Sequence, residues 1–157
     1  MLKTILFACL LCICFQLKAQ PPFKRNDIYV EAFGAGLFGS INYERQLSKM
    51  PGLGVRVGVG FYTENNFYLT IPVGLHYIFA LHRPGTFIDV GIAYTQAFGD
   101  GRVFANKEQR DKFNSTVPSL SYRIHTKNNL MMRFGFTPVI NYSGFHPSLG
   151  ISLGKRF

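Results

Sequence analysis

Apolar and polar residues take turns along most of this chain. Leu53, Val55, Val57, Val59 and Phe61 alternate with Gly54, Arg56, Gly58 and Gly60. Phe67, Leu69, Ile71, Val73, Leu75, Tyr77 and Phe79 alternate with Tyr68, Thr70, Pro72, Gly74 and His76. The same rhythm runs through Ile88 to Tyr94, Leu130 to Thr137 and Leu149 to Phe157, and more weakly through 27–34, 38–47 and 116–126. A period of two is the signature of a strand with two different faces, so the pattern predicts eight strands and leaves no room for a useful helix.

The composition of the two faces decides what kind of sheet this is. One face is nearly pure Leu, Ile, Val, Phe and Tyr. The other is Gly, Ser, Thr and Ala, with single charges at Glu31, Glu44, Arg56, Asp89, Arg123, Arg133 and Arg156. A water-soluble barrel turns its apolar face inward and covers the outside with Lys and Glu. Small residues with isolated charges suit instead the cramped interior of an eight-stranded barrel whose outside meets lipid. A closed barrel satisfies every backbone polar group internally, and strands of about 9–11 residues are long enough to cross a bilayer. The expected fold is therefore all-β: a closed antiparallel transmembrane β-barrel of about eight strands, up-and-down in topology.

Connections agree with that order. An even strand number puts both termini on the periplasmic side, so turns two, four and six, at 48–52, 80–85 and 127–129, are periplasmic, short and rich in turn formers. The longest break, 98–115, falls on turn five, which is extracellular. Charges in a low-dielectric interior are normally paired, so the seven lumen charges are expected to form one ion-pair network filling the lumen, with arginine forks bridging carboxylates on neighbouring strands.

Composition adds the compartment. Charged residues make up 16% of the 157, against about 25% in a typical soluble domain. Residues 1–19 read as a cleaved secretory signal: Lys3 supplies the positive start, Ile5 to Phe15 an apolar core of roughly 11 residues, and Ala19 the small residue before cleavage at Gln20. That core is too short to span a bilayer, which takes about 20 residues. The Leu6-Phe7-Ala8-Cys9 stretch loosely fits a lipobox, but it arrives after almost no apolar run. Residues 20–26 then form a short periplasmic leader and 27–157 the barrel. Cys9, Cys12 and Cys14 all leave with the signal, so the mature chain has no disulfide, thiolate nucleophile or cysteine metal site. Losing Lys3 and Lys18 leaves 15 basic against 8 acidic residues, a net charge of +7 suited to anionic lipid headgroups or phosphorylated glycolipid. Nothing supports a nucleic-acid partner.

The signal, the eight two-faced strands and the closing Leu149-Gly150-Ile151-Ser152-Leu153-Gly154-Lys155-Arg156-Phe157 resemble the small outer-membrane β-barrel family of OmpA/OmpX type. The resemblance implies a place in the outer membrane of a Gram-negative bacterium, contact with outer-membrane lipid and lipopolysaccharide, and a monomer. It also implies that the barrel-assembly machinery reads the last strand through Leu149, Ile151, Leu153 and Phe157; Lys155 departs from that pattern. It covers 27–157 and concerns architecture, which in this family does not carry function.

Three motifs invite sharper readings. Gly34-Ala35-Gly36-Leu37-Phe38-Gly39 fits the dinucleotide fingerprint, but no helix follows and no acidic residue stands about 20 positions on, so a glycine-rich hairpin loop explains it better. Asn114-Ser115-Thr116 and Asn141-Tyr142-Ser143 fit a glycosylation sequon that means little in a bacterial outer-membrane protein. His146-Pro147-Ser148 matches the His-x-Ser pair of a lipid A deacylase family of small barrels, its spacing placing both side chains on one strand face; the carboxylate expected downstream is missing. His76 and His125 read as isolated packed residues facing the lumen, not metal ligands. No cofactor is expected. Of three classes, a non-enzymatic structural or surface-interaction role through the extracellular loops comes first. A narrow pore or transporter follows, then a lipid A-modifying hydrolase using His146 and Ser148.

Overall fold

The structure is a computed structural model that describes residues 23–63, 67–99 and 112–157. Strands β1 (Asn26–Ala32), β2 (Gly39–Gln46), β3 (Leu53–Thr63), β4 (Phe67–Ala80), β5 (Thr86–Gly99), β6 (Lys112–His125) and β7 (Leu130–Phe136) follow one another. Two three-residue strands, β8 (Val139–Asn141) and β9 (Gly144–His146), come before β10 (Leu149–Arg156). Each neighbour is antiparallel to the next. The ring closes where β1 meets β10, from Asp27 opposite Arg156 to Ala32 opposite Ile151. Seven long strands and β10 therefore make a closed, up-and-down barrel of eight, and no helix occurs among the described residues.

Alternation fixes which way each residue faces. In β3 every second residue from Gly54 to Gly60 is buried, and the residues between them are exposed. Exposed Ile41, Val55, Val73, Ile92, Phe134 and Leu153 belong to a continuous apolar outer belt. Large apolar area facing outward, with charges inside, inverts a water-soluble barrel and makes this a transmembrane one. Aromatic residues mark the edges of the belt: Phe61 stacks on Phe67 near one end, and Tyr77 packs with Phe79 near the other. From Phe67 to Tyr77 is about 33 Å of strand, or roughly 25 Å of height at a tilt of about 40°, the usual height of a lipid-facing band.

The strands run further than the alternation alone predicts. β5 continues to Gly99 and β6 starts at Lys112, so most of the long break expected at 98–115 shortens to a connection at 100–111, outside the described residues. The seventh and eighth barrel strands are instead interrupted, and β8 and β9 fold as a small hairpin beyond the barrel, with Ile140 opposite Thr116 of β6. Pro138 and Pro147 flank the hairpin; without an N–H to donate they end the ladder there. At the opposite end, where the termini lie, the connections at 47–52, 81–85 and 126–129 are short. Gly85 has φ +79°, a conformation that a side chain disfavours, and its carbonyl accepts from the His125 amide at 2.7 Å. The proposed signal at 1–19 and the first residues of the leader lie outside the described residues.

Candidate functional site: the lumen and its two ends

The inward positions of eight strands converge on one buried space. It contains four carboxylates, Asp27, Glu31, Glu44 and Asp89, and four arginines, Arg56, Arg123, Arg133 and Arg156, all at most 8% exposed. Their formal charges cancel. Transfer of an unpaired ion from water to such a space costs several kcal/mol, on the order of 5, so what each charge pairs with decides its contribution.

Arg123 of β6 is the hub. Nη1 donates to Asp89 Oδ2 at 2.9 Å, Nη2 lies 2.6 Å from Glu44 Oε1 and also pairs with Asp27, and Nε donates to His125 Nε2 at 2.9 Å. Only Asp89 stands on a neighbouring strand. Asp27 and Glu44 come from β1 and β2, so the guanidinium reaches across the lumen rather than only along the sheet, which the sequence alone did not predict. Arg133 of β7 pairs with Glu31 at 2.7 Å and with Asp89 at 3.4 Å, and its Nε donates to Ser152 Oγ at 3.3 Å. Ser152 in turn donates to Glu31 Oε1 at 3.2 Å, so Glu31, Ser152 and Arg133 tie three adjacent strands together. The Arg133 guanidinium also lies 4.8 Å from the centre of the Tyr29 ring.

Of the seven lumen charges expected from the sequence, six are joined. Arg156 enters through Asp27 at 3.8 Å. Arg56 stands apart. It is buried and directly opposite Glu44 in the ladder, yet Glu44 turns to Arg123, and Arg56 Nε and Nη2 find no hydrogen-bond partner among the described residues. The structure also adds members that sequence reasoning passed over. Asp27 and Tyr29 share the parity of Glu31, and Gln46 that of Glu44, so the same alternation could have found them. His76 is not isolated: its Nε2 lies 3.2 Å from Glu44 Oε1, beside the Gln46 amide. Gly54 leaves room for that trio, since a Cβ there would strike the His76 ring and Gln46. No group of three His, Cys, Asp or Glu among the described residues could hold a metal ion.

Both ends of this space are covered. At the terminal end, the described residues just before β1 pack against the barrel mouth. The Phe23 ring lies 6.3 Å from Phe87, 5.9 Å from His125 and 4.9 Å from the Arg156 guanidinium, while Arg25 donates to the carbonyls of Gln46 and Leu47. At the other end the glycine-rich connection between β1 and β2, residues 33–38, turns into the barrel. Ala35 is buried against Ala93 and Val117, and its N–H donates to Glu31 Oε2 at 3.0 Å. Thr95 donates to the Ala35 carbonyl, Thr70 to Gly36 and Thr137 to Phe33, at 2.6, 3.0 and 2.9 Å. The hairpin reading of the fingerprint motif is thus refined: the loop is an inward cap. Phe33 and Leu37 adopt positive φ of 55° and 72°, conformations that cost a non-glycine residue about 1–3 kcal/mol each.

Above the cap lies a cleft of about 610 Å³ lined by residues including Phe38, Tyr62, Phe113, Tyr142, His146 and Ser148. His146 and Ser148 do not share a strand face as their spacing suggests, because His146 ends β9 and Ser148 falls in the break before β10. The Ser148 hydroxyl donates to the Phe33 carbonyl at 3.1 Å, and His146 has no ion pair with a carboxylate among the described residues. Leu149, Ile151, Leu153 and Phe157 all face outward on β10 or just past it, exposed to the lipid side.

No protein-family model matches the chain, and no curated protein matches it. A solved structure does. The N-terminal β-barrel domain of Pseudomonas aeruginosa OprF superposes with a TM-score of 0.60 over 85% of this chain and 99% of that domain's chain, at 11% sequence identity. The likeness is one of fold. At that identity no residue role transfers, so the lumen and its caps stand on their own geometry.

Proposed function

We propose that this protein is an integral outer-membrane β-barrel, closed to permeation at rest, that works without catalysis through the end bearing the β8–β9 hairpin and the longer connections. One observation carries the reading: apolar side chains form the whole outer belt while all four described carboxylates are turned inward and offset by arginine. A barrel sorted this way has lipid as its outer solvent and has no open path through its middle. What remains to meet other molecules is the loop end. The Ser148 hydroxyl is committed to a backbone carbonyl, so the hydrolase reading has no activated nucleophile to offer. In this reading residues 1–19 are the export signal, both termini face the periplasm, and Leu149, Ile151, Leu153 and Phe157 are what the assembly machinery reads.

The test combines fractionation with gel mobility. The native protein should co-sediment with outer-membrane markers, and its folded form should migrate faster in SDS before boiling than after. Identical mobility before and after heating, with a helical circular-dichroism spectrum, would sink the proposal.

A further inference from the structure

Charge is distributed unevenly along the barrel axis. The described acids are buried in the lumen, and the remaining ones, Glu64, Asp100, Glu108 and Asp111, occur in the segments that join β3 to β4 and β5 to β6. Residues 1–22 contain no acid. The terminal end therefore presents no acidic side chain at its surface among the described residues. It does present cations. Arg45, Lys49, Arg83, Lys127 and Lys155 are exposed there, with Arg25 half-buried beside them, and none is joined by an ion pair to a carboxylate among the described residues. Arg25 is oriented by the Gln46 and Leu47 carbonyls, which hold its guanidinium at the rim without neutralising it.

Their depth is set by the strands that carry them. Arg45 comes two residues after the exposed Tyr43, whose hydroxyl donates to Asn26 at 2.9 Å. Arg83 follows the exposed pair Tyr77 and Phe79 on the next turn, and Lys155 faces outward opposite Ile28 and Leu130. Aromatic residues of this kind sit where hydrocarbon gives way to headgroups, and long basic side chains just beyond them reach the phosphate layer. These cations, carried just before β1, on β2 and β10 and on the turns after β2, β4 and β6, are thus spread around the terminal rim of the barrel. Self-repulsion among like charges on one rim is relieved by anions brought from outside.

We propose that this rim is a docking surface for anionic phospholipid headgroups in the leaflet at the terminal end, which it gathers into an annulus around the barrel. The inference rests on the membrane-spanning reading given above. It assigns the lipid contact to phospholipid phosphodiesters at this end, where a charge-based sequence reading alone could not separate them from the phosphates of lipopolysaccharide.

The experiment is lipid selection by the folded protein in nanodiscs of phosphatidylcholine with about a quarter phosphatidylglycerol, read as the lipid retained in native mass spectrometry. The wild type should keep phosphatidylglycerol at about fivefold its bulk ratio, falling toward the bulk ratio in high salt. A variant carrying Arg45→Gln, Lys49→Gln, Arg83→Gln, Lys127→Gln and Lys155→Gln should show no enrichment while keeping the heat-shifted mobility that reports a folded barrel. Equal enrichment in wild type and variant overturns the proposal. So does a wild type that inserts but shows no selectivity, or a rim variant whose only loss is co-sedimentation with cell-wall sacculi or with lipopolysaccharide micelles. Failure of the wild type to enter a bilayer at all would overturn the spanning reading itself.

Discussion

Arg123 has no exposed surface and three carboxylates around it, drawn from β1, β2 and β5. Removing it would leave three buried anions facing one another, with Arg133 at 3.4 Å from Asp89 and Arg156 at 3.8 Å from Asp27 as the nearest remaining guanidiniums. The cost is that of an uncompensated buried charge, about 3–5 kcal/mol. Arg123→Met, close in length and apolar, should therefore lower the free energy of urea unfolding in lipid vesicles by about that amount. Arg56 supplies the contrast. It shares the burial but has no ion pair among the described residues to lose, so Arg56→Met should change stability by no more than about 1 kcal/mol, since loss of balance in total charge is offset by relief of its own desolvation. Equal losses in the two variants would show that net lumen charge, not specific pairing, stabilises the barrel. Parity along the strands was enough to place all seven expected charges inward. It could not rank them, because a guanidinium spanning the lumen chooses partners by where the closed barrel sets them, and closure is a long-range property that no local pattern records.

Among the elements, the barrel strands were legible and their interruptions were not. Alternation from Leu53 to Phe61 and again from Phe67 to Phe79 is unbroken because one face meets lipid and the other a uniform interior. Over 33–38 and 139–148 the chain leaves the barrel wall, so side chains face several environments in turn and no single period survives. The cap at 33–38 was visible only as glycines. It is held by strained backbone at Phe33 and Leu37 against a few hydroxyl donors, and buried neutral hydrogen bonds of that kind contribute about 1 kcal/mol each. Replacing both hydroxyls, Thr70→Val with Thr95→Val, should raise amide hydrogen exchange at residues 35–38 by about 10–100-fold while the strand amides of β3 and β4 stay protected. Uniform loss of protection would mean that the cap and the wall unfold as one unit. The last strand carries a separate expectation. Leu149, Ile151, Leu153 and Phe157 line one outward stripe, so deletion of Phe157 should reduce the barrel recovered in the outer membrane without reducing the amount exported; unchanged recovery would remove the assembly role from this residue.

At the scale of the whole molecule, three layers of side chains occupy the lumen: Phe23 with Phe87 and His125 at one end, the charge network in the middle, and the inward loop at the other. An eight-stranded barrel has an interior just wide enough for its own side chains, so no single layer needs to do more than exclude water from a narrow column. The layers are also connected. Glu31 accepts from the Ala35 amide of the loop and pairs with Arg133 of the network, and Arg156 joins Asp27 to the Phe23 ring. In planar bilayers the wild-type protein should therefore be electrically silent. The Glu31→Gln variant still offers an acceptor to Ala35 but strands Arg133 without its closest anion, whereas Thr70→Val with Thr95→Val loosens the loop and leaves every ion pair of the network in place. If the charged middle layer is the barrier, Glu31→Gln should show brief openings and the threonine pair should stay silent. If the loop is the barrier, the order reverses. A large steady current from the wild type would reject both and make the protein a pore.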